Sequence, residues 1–300
     1  LMEISDGAFQ GCSSLDGVVL PETLTEIGNY AFSGCVGLTG ITIPNTVTSV
    51  GRNAFSGCTG ITELTLPNGL QTIGQEAFKN MQLQSIVVPN SVTSIGVGAF
   101  QGCPLENITL PFVGGSRTTN SSCPSTNSSS TVSSGITLFG YVFGGEIWGG
   151  NAINYVSAPI STETLIYQGQ DSYNYYVNNG FGHCYFWSRY YIPSALKTVT
   201  ITDATGISAN AFYGCTMIES LTLNEGITTI YDKAFYNCTA LKSMILPSSV
   251  TGLGSYAFYE CSNMASITLS NLTKINDYTF KDCSSLDGVV LPETLTEIGN

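Results

Sequence analysis

The chain has 300 residues, of which 43% are hydrophobic and only 10% charged, and its 21 Asp and Glu outweigh 9 Lys and Arg for a formal net charge of -12. A surface of that sign repels a phosphate backbone, which excludes nucleic acid as a partner. No unbroken apolar run approaches the ~18 residues that a membrane-spanning helix needs, so this stretch is not expected to insert into a bilayer.

Leu1 already lies inside a repeated motif, so an export signal and an anchor are expected outside the sequence. From the start of the chain a pair recurs as Ala8-Phe9, Ala31-Phe32, Ala54-Phe55, Ala77-Phe78 and Ala99-Phe100, its phenylalanines 23, 23, 23 and 22 residues apart. A second motif, apolar-x-x-apolar-x-apolar and often Pro, keeps the same period, starting at Leu15, Leu38, Ile61, Leu83 and Leu105. Its last two apolar positions are two apart, as a half-buried strand demands, and the residue between them faces the other way. The Pro that follows lacks an N–H and ends the ladder at the same point in each coil. Between strands runs a return segment such as Val47, Val50, Phe55 and Cys58, whose spacing predicts an irregular, 3₁₀-like or short helical arm on the convex side. Gly28, Gly51, Gly74 and Gly96 recur in that arm, with Gly254 and Gly299 later, and predict a turn with positive φ.

From Phe112 to Ala195 the period stops. The first part of this insertion, Gly114 to Gly135, is rich in Ser and Thr and predicts a surface loop. The second part is dense in aromatics, including Tyr173, Tyr175, Tyr176 and Trp187. Such residues offer large contact area at low entropic cost and suit recognition; equally, they can close over the edge of the array as a satellite core, and both roles can coexist. The period then resumes with strands starting at Leu196, Ile218, Leu241, Met264 and Leu286, and with Ala211-Phe212, Ala234-Phe235, Ala257-Phe258 and the variant Thr279-Phe280. Residues 1–111 and 196–300 are thus two blocks of one solenoid, with 112–195 inserted on one coil. Cys12 to Asn29 recurs unchanged as Cys283 to Asn300, as a recent duplication or an artefact of sequence assembly would leave it.

The pattern L-x-x-I-x-L-P-x-x-[LV]-x-x-I-G-x-x-A-F-x-x-C resembles the BspA-type leucine-rich repeat of Treponema and Bacteroides surface proteins, over roughly seven-tenths of the chain. The resemblance implies a leucine-rich-repeat solenoid, α/β or mainly β: a right-handed superhelix with one parallel concave sheet of about ten short strands. It also implies an exported protein at a bacterial surface or outside the cell, of adhesin-like function.

Eight of the ten cysteines, Cys12, Cys35, Cys58, Cys103, Cys215, Cys238, Cys261 and Cys283, stand three residues after a repeat Phe, and Met81 fills that row in the remaining copy. Exchange with Met points to buried, inert thiols, and parallel Cβ vectors in stacked coils suit a disulfide poorly. No C-x-x-C favours a metal. Cys123 and Cys184 lie outside the row, and a disulfide between them fits an exported protein.

His183 is the single histidine, and although Cys184 adjoins it, adjacent residues rarely aim at each other and no flanking protease motif accompanies them. There is no G-x-S-x-G, P-loop, HExxH or acidic calcium loop, so no catalytic residue, cofactor or metal is expected. The outward strand row reads Val19, Thr42, Thr65, Val87, Thr109, Thr200, Thr222, Ile245, Thr268 and Val290. β-Branched residues suit any sheet surface; alternatively the row, flanked by Glu63, Glu106, Lys197, Glu219 and Lys242, lines a concave contact face. The expected function is a non-catalytic scaffold that recognises a protein or glycan ligand through Thr42, Glu63, Thr65, Glu106, Thr109, Thr200, Glu219 and Thr222 together with Tyr173, Tyr175, Tyr176 and Trp187. The alternative is a structural spacer that displays another domain and has no ligand of its own. Because neither end carries a capping repeat, self-association through the terminal coils is a further expectation.

Overall fold

A computed structural model describes residues 1–114, 139–149, 152–154, 163–177 and 180–300. The two repeat blocks form a parallel solenoid of about ten coils with almost no helix, as the leucine-rich-repeat pattern implies. Seven of the ten expected concave strands are present as ladder strands: Ser85–Val87, Asn107–Leu110, Thr198–Ile201, Ser220–Thr222, Ser243–Ile245, Ser266–Thr268 and Gly288–Val290. Their pairing is parallel and in register, so Ile86, Ile108, Val199 and Leu221 form one buried column. The corresponding residues of the first three coils, 15–21, 38–44 and 61–67, carry no ladder strand, although Leu20, Leu38, Ile43, Ile61 and Leu66 are buried as the pattern requires.

The convex arm holds a second parallel ladder that the spacing of its apolar residues had not indicated. Two-residue strands recur at Glu3–Ile4, Glu26–Ile27, Ser49–Val50, Thr72–Ile73 and Ser94–Ile95, and again at Gly206–Ile207, Thr229–Ile230, Gly252–Leu253, Lys274–Ile275 and Glu297–Ile298. Two residues are too few to show an alternating pattern, yet in strands such as Glu26–Ile27 and Thr72–Ile73 the second side chain is buried and the first exposed.

The expected positive φ at the arm glycines is not observed; it falls two residues later instead, on Tyr30 (56°), Asn53 (53°), Glu76 (53°), Lys233 (55°) and Tyr256 (57°). Glycine is needed in the arm for a different reason. A Cβ on Gly51 would lie 2.7 Å from the backbone carbon of Gly28, and one on Gly74 2.5 Å from that of Gly51. Each coil thus presses its backbone against its neighbour's at these glycines, although Ser208, Tyr231 and Asn276 hold the same row in other coils.

The core is a set of one-residue-wide columns running the length of the array. Phe9, Phe32, Phe55, Phe78 and Phe100 stack with centroid separations of 5.1, 5.3, 6.0 and 5.5 Å, and Phe212, Phe235, Phe258 and Phe280 with 5.3, 5.0 and 5.7 Å. The repeat Phe N–H donates to the carbonyl of the residue before the Phe of the following coil, usually Ala, as from Phe32 to Ala54 at 2.8 Å and from Phe258 to Thr279 at 3.0 Å. Hydrogen bonding and ring packing therefore share one axis.

The insertion leaves the concave ladder unbroken, because Asn107–Leu110 pairs directly with Thr198–Ile201. What it replaces is one arm. The 3₁₀ turn Phe139–Phe143 occupies the vacant level: the Phe100 N–H donates to the Val142 carbonyl at 2.9 Å, and the Phe139 N–H to the Ala211 carbonyl at 2.8 Å. Val142 thus takes the acceptor place of the repeat Ala, and Phe139 the donor place of the repeat Phe, lying 4.8 Å from Phe212 to continue the ring column. Gly140 is packed against Tyr190 so closely that a Cβ would come within 2.3 Å of that side chain. Beyond the turn the backbone forms an antiparallel sheet, with Glu163–Val177 paired to Gly180–Pro193, then Gly145–Gly149 and Ala152–Asn154.

Candidate binding surface

The outward row of the concave strands is exposed over most of the array. Val19 is 95% exposed, Ile245 76% and Val290 74%, and Thr42, Thr65, Val87, Thr222 and Thr268 are likewise open to solvent. Thr109 and Thr200, directly paired across the coil that carries the insertion, are half-buried. Strand alternation places these side chains opposite the Ile and Leu columns of the core.

The acidic candidates differ in their state. Glu63 and Glu106 are exposed. Glu219 is held between two lysines, with Lys197 Nζ at 3.9 Å and Lys242 Nζ in direct hydrogen-bonding contact. The hydrogen bond and charge of Lys242, then the charge of Lys197, keep its carboxyl below the ordinary range. The residues preceding the strands run Glu106, Lys197, Glu219 and Lys242 on successive coils, so charge alternates along the rim of the sheet.

Tyr173, Tyr175 and Tyr176 lie on the strand Glu163–Val177, opposite Cys184, Gly182 and Phe181, and Trp187 lies on its partner Gly180–Pro193; the placement of their side chains is outside the described residues. So is Cys123, and with it the expected Cys123–Cys184 pairing. His183 and Cys184 are consecutive on one strand, opposite Asn174 and Tyr173. The strand pair is rooted at the arm side of the solenoid, where the Tyr191 N–H donates to the Gly144 carbonyl at 3.0 Å.

The cysteine row is a hydrogen-bonded column. The Sγ of Cys35, Cys58, Cys103, Cys238, Cys261 and Cys283 each donates to the repeat Phe carbonyl of the preceding coil, at 3.0 to 3.2 Å. Burial pushes the Cys58 and Cys238 thiols up to about 12, and Cys35 is raised for the same reason. Suppressing the thiolate suppresses nucleophilicity and metal binding together. Among the described residues no group of three or more His, Cys, Asp or Glu is placed to hold a metal ion, and no helix is long and apolar enough to cross a membrane.

One feature of the surface had gone unread in the sequence. Tyr213, Tyr236 and Tyr259 follow the repeat Phe on successive coils and stack with centroid separations of 4.7 Å at interplanar angles of 5° and 13°. Tyr256 and Tyr278 stack beside them at 4.9 Å, and Lys281 Nζ lies 5.8 and 5.3 Å from the centres of Tyr259 and Tyr278. The Phe-Tyr dipeptide recurring at the repeat period was the available signal.

The family model for the BspA type leucine rich repeat region matches six copies over residues 2–123 and 205–300. Among solved structures, a leucine-rich repeat protein from Bacteroides ovatus is 24% identical, covering 100% of this chain and 78% of its own, with a TM-score of 0.37. A Treponema pallidum leucine-rich repeat protein is 21% identical over 80% of this chain and 72% of its own, with a TM-score of 0.39. A leucine-rich cell surface protein from Faecalibacterium prausnitzii is 20% identical over 98% and 77%, with a TM-score of 0.33. No curated protein matches. The regular Leu, Phe and Cys columns, the parallel ladders and a family match over most of its length show that the chain belongs to the BspA-type leucine-rich repeat family.

Proposed function

We propose that this protein is a non-catalytic binding scaffold at a bacterial surface or secreted from the cell, recognising a protein or glycan through the outward row of its concave sheet. The observation that carries the reading is the exposed column Thr42, Thr65, Val87, Thr222, Ile245 and Thr268, which presents methyl and hydroxyl groups on a continuous rigid support. Because coil-to-coil packing fixes the strand backbones, a ligand meets a surface whose ordering entropy was lost on folding. Glu63 and Glu106 add exposed acceptors beside the row, and the strand pair bearing Tyr173, Tyr175, Tyr176 and Trp187 supplies the aromatic part of the proposed surface.

A glycan and matrix-protein array probed with the whole chain tests the proposal. The expected result is a saturable ligand whose binding is lost when Thr65 and Thr222 are both replaced by Arg, with folding unchanged. Binding to nothing on such arrays would favour the spacer reading, and binding indifferent to both the Thr pair and Ala at Tyr175, Tyr176 and Trp187 would remove these residues from the site.

A further inference from the structure

We propose that Tyr213, Tyr236 and Tyr259 form a site of oxidative coupling, at which one-electron oxidation by a peroxide-driven phenol oxidant joins neighbouring coils through a carbon–carbon bond between tyrosine rings. Three observations lead there. The rings are face to face at 4.7 Å in two consecutive pairs, and all three residues are half-buried at the surface. The repeat does not need aromatics in this row: Gln10, Ser33, Ser56, Lys79 and Gln101 occupy it in the first block, and Lys281 in the coil after Tyr259. A carboxylate also acts on the row, since Asp282 is the chief cause that raises the Tyr259 phenol above its ordinary value.

The local field acts in the same direction. Glu260 opposes ionisation of all three phenols, Tyr236 being pushed up to about 12 chiefly by burial and then by Glu260. A negative charge that disfavours phenolate favours withdrawal of an electron from the ring, and Asp282 can take the proton that leaves with it. Each tyrosine gives up one electron and its phenolic proton, and one hydrogen peroxide takes two of each to become two waters. The two neutral phenoxyl radicals then couple, ortho carbon to ortho carbon, and enolisation moves the two displaced ring hydrogens onto the oxygens. The product is two hydrogens lighter than the parent pair. It ties residues 23 positions apart across the stacked faces of adjacent coils, where Cys215, Cys238 and Cys261 are free thiols.

The test is exposure of the whole chain to a haem peroxidase and limiting hydrogen peroxide, read by dityrosine fluorescence and by mass spectrometry of the digested monomer. The expected product is an intramolecular cross-link from Tyr236 to Tyr213 or Tyr259, with a melting temperature raised by oxidation. Tyr236→Phe keeps the stacked ring and should lose both effects, whereas Tyr30→Phe, remote from the stack, should lose neither. Cross-links confined to the insertion tyrosines, cross-links only between molecules, or an unchanged product in Tyr236→Phe would overturn the proposal.

Discussion

The Sγ of Cys58 donates to the carbonyl of Phe32 at 3.1 Å, and that same carbonyl accepts the Cys35 N–H of its own coil at 3.1 Å. The row therefore asks for a residue that is small and apolar and that also supplies a donor to the second lone pair of a buried carbonyl. Met81 is apolar but larger, and its thioether supplies no donor. Cys58→Ala, which removes the donor and leaves a small void, should cost about 1–2 kcal/mol of stability by urea denaturation. Cys58→Ser restores a donor and should cost less; a Ser variant less stable than the Ala variant would show that the thiol acts only by filling space.

Alkaline pH should destabilise the array. In the unfolded chain a thiol ionises near its ordinary value of 9.0, whereas Cys58 and Cys238 are held up to about 12 by burial. The folded form thus keeps protons that the unfolded form releases, so stability is intact below about pH 9 and declines as pH rises from there towards 12. Tyr236, raised from 10.0 to about 12, acts in the same sense. Melting temperatures measured between pH 8 and 12 should fall over that window, with a shallower fall in a Cys58→Ala, Cys238→Ala double variant.

The two kinds of glycine should respond oppositely to alanine. Gly74→Ala drives a Cβ to within 2.5 to 2.7 Å of the backbone of Gly51 and Arg52, and should cost ~1–3 kcal/mol or more because backbone cannot move aside as a side chain can. Gly40→Ala meets nothing within 4 Å and has no positive φ, so it should be neutral or stabilise by ~0.5 kcal/mol through the unfolded chain. Thermal melts of both variants decide the matter.

Gly140→Ala separates the insertion from the solenoid. Its Cβ would overlap Tyr190, whose strand carries the base of the antiparallel sheet, so the expected effect is faster proteolytic cleavage within residues 145–193 with the repeat blocks still intact. Cleavage at the parent rate would mean that Tyr190 does not anchor the sheet.

Much of this molecule was legible before any coordinates, because in a solenoid each coil meets only its neighbours and a contact column becomes a sequence period. The Ala-Phe pair, the Cys row and the outward row Thr42, Thr65 and Thr222 were all found in that way, and the last is exposed as read. The arm ladder was not legible, since strands such as Glu26–Ile27 are too short to alternate. Nor was the purpose of Gly51 and Gly74, because a turn and a close backbone approach both select glycine and only the neighbouring coil distinguishes them. The role of Val142 and Phe139 was hidden because they restore the Ala and Phe columns only after the chain has left the period.

The duplicated segment separates the two sources of information most directly. Residues 12–29 and 283–300 share one sequence, and in both the same Ile pairs with its counterpart in the preceding coil, Ile27 with Ile4 and Ile298 with Ile275. Ile27 also has Val50 on its other side and is fully buried; Ile298 pairs with Ile275 and is 60% exposed. Residues 17–19 carry no ladder strand, while the identical Gly288–Val290 pairs with Ser266–Thr268. The sequence set the repeat length, the face each side chain takes and the residues able to fill each column. Burial, strand formation and the fit of the insertion depended on the adjoining coil, because one coil has too little apolar surface to bury on its own and gains its structure from whatever it stacks upon.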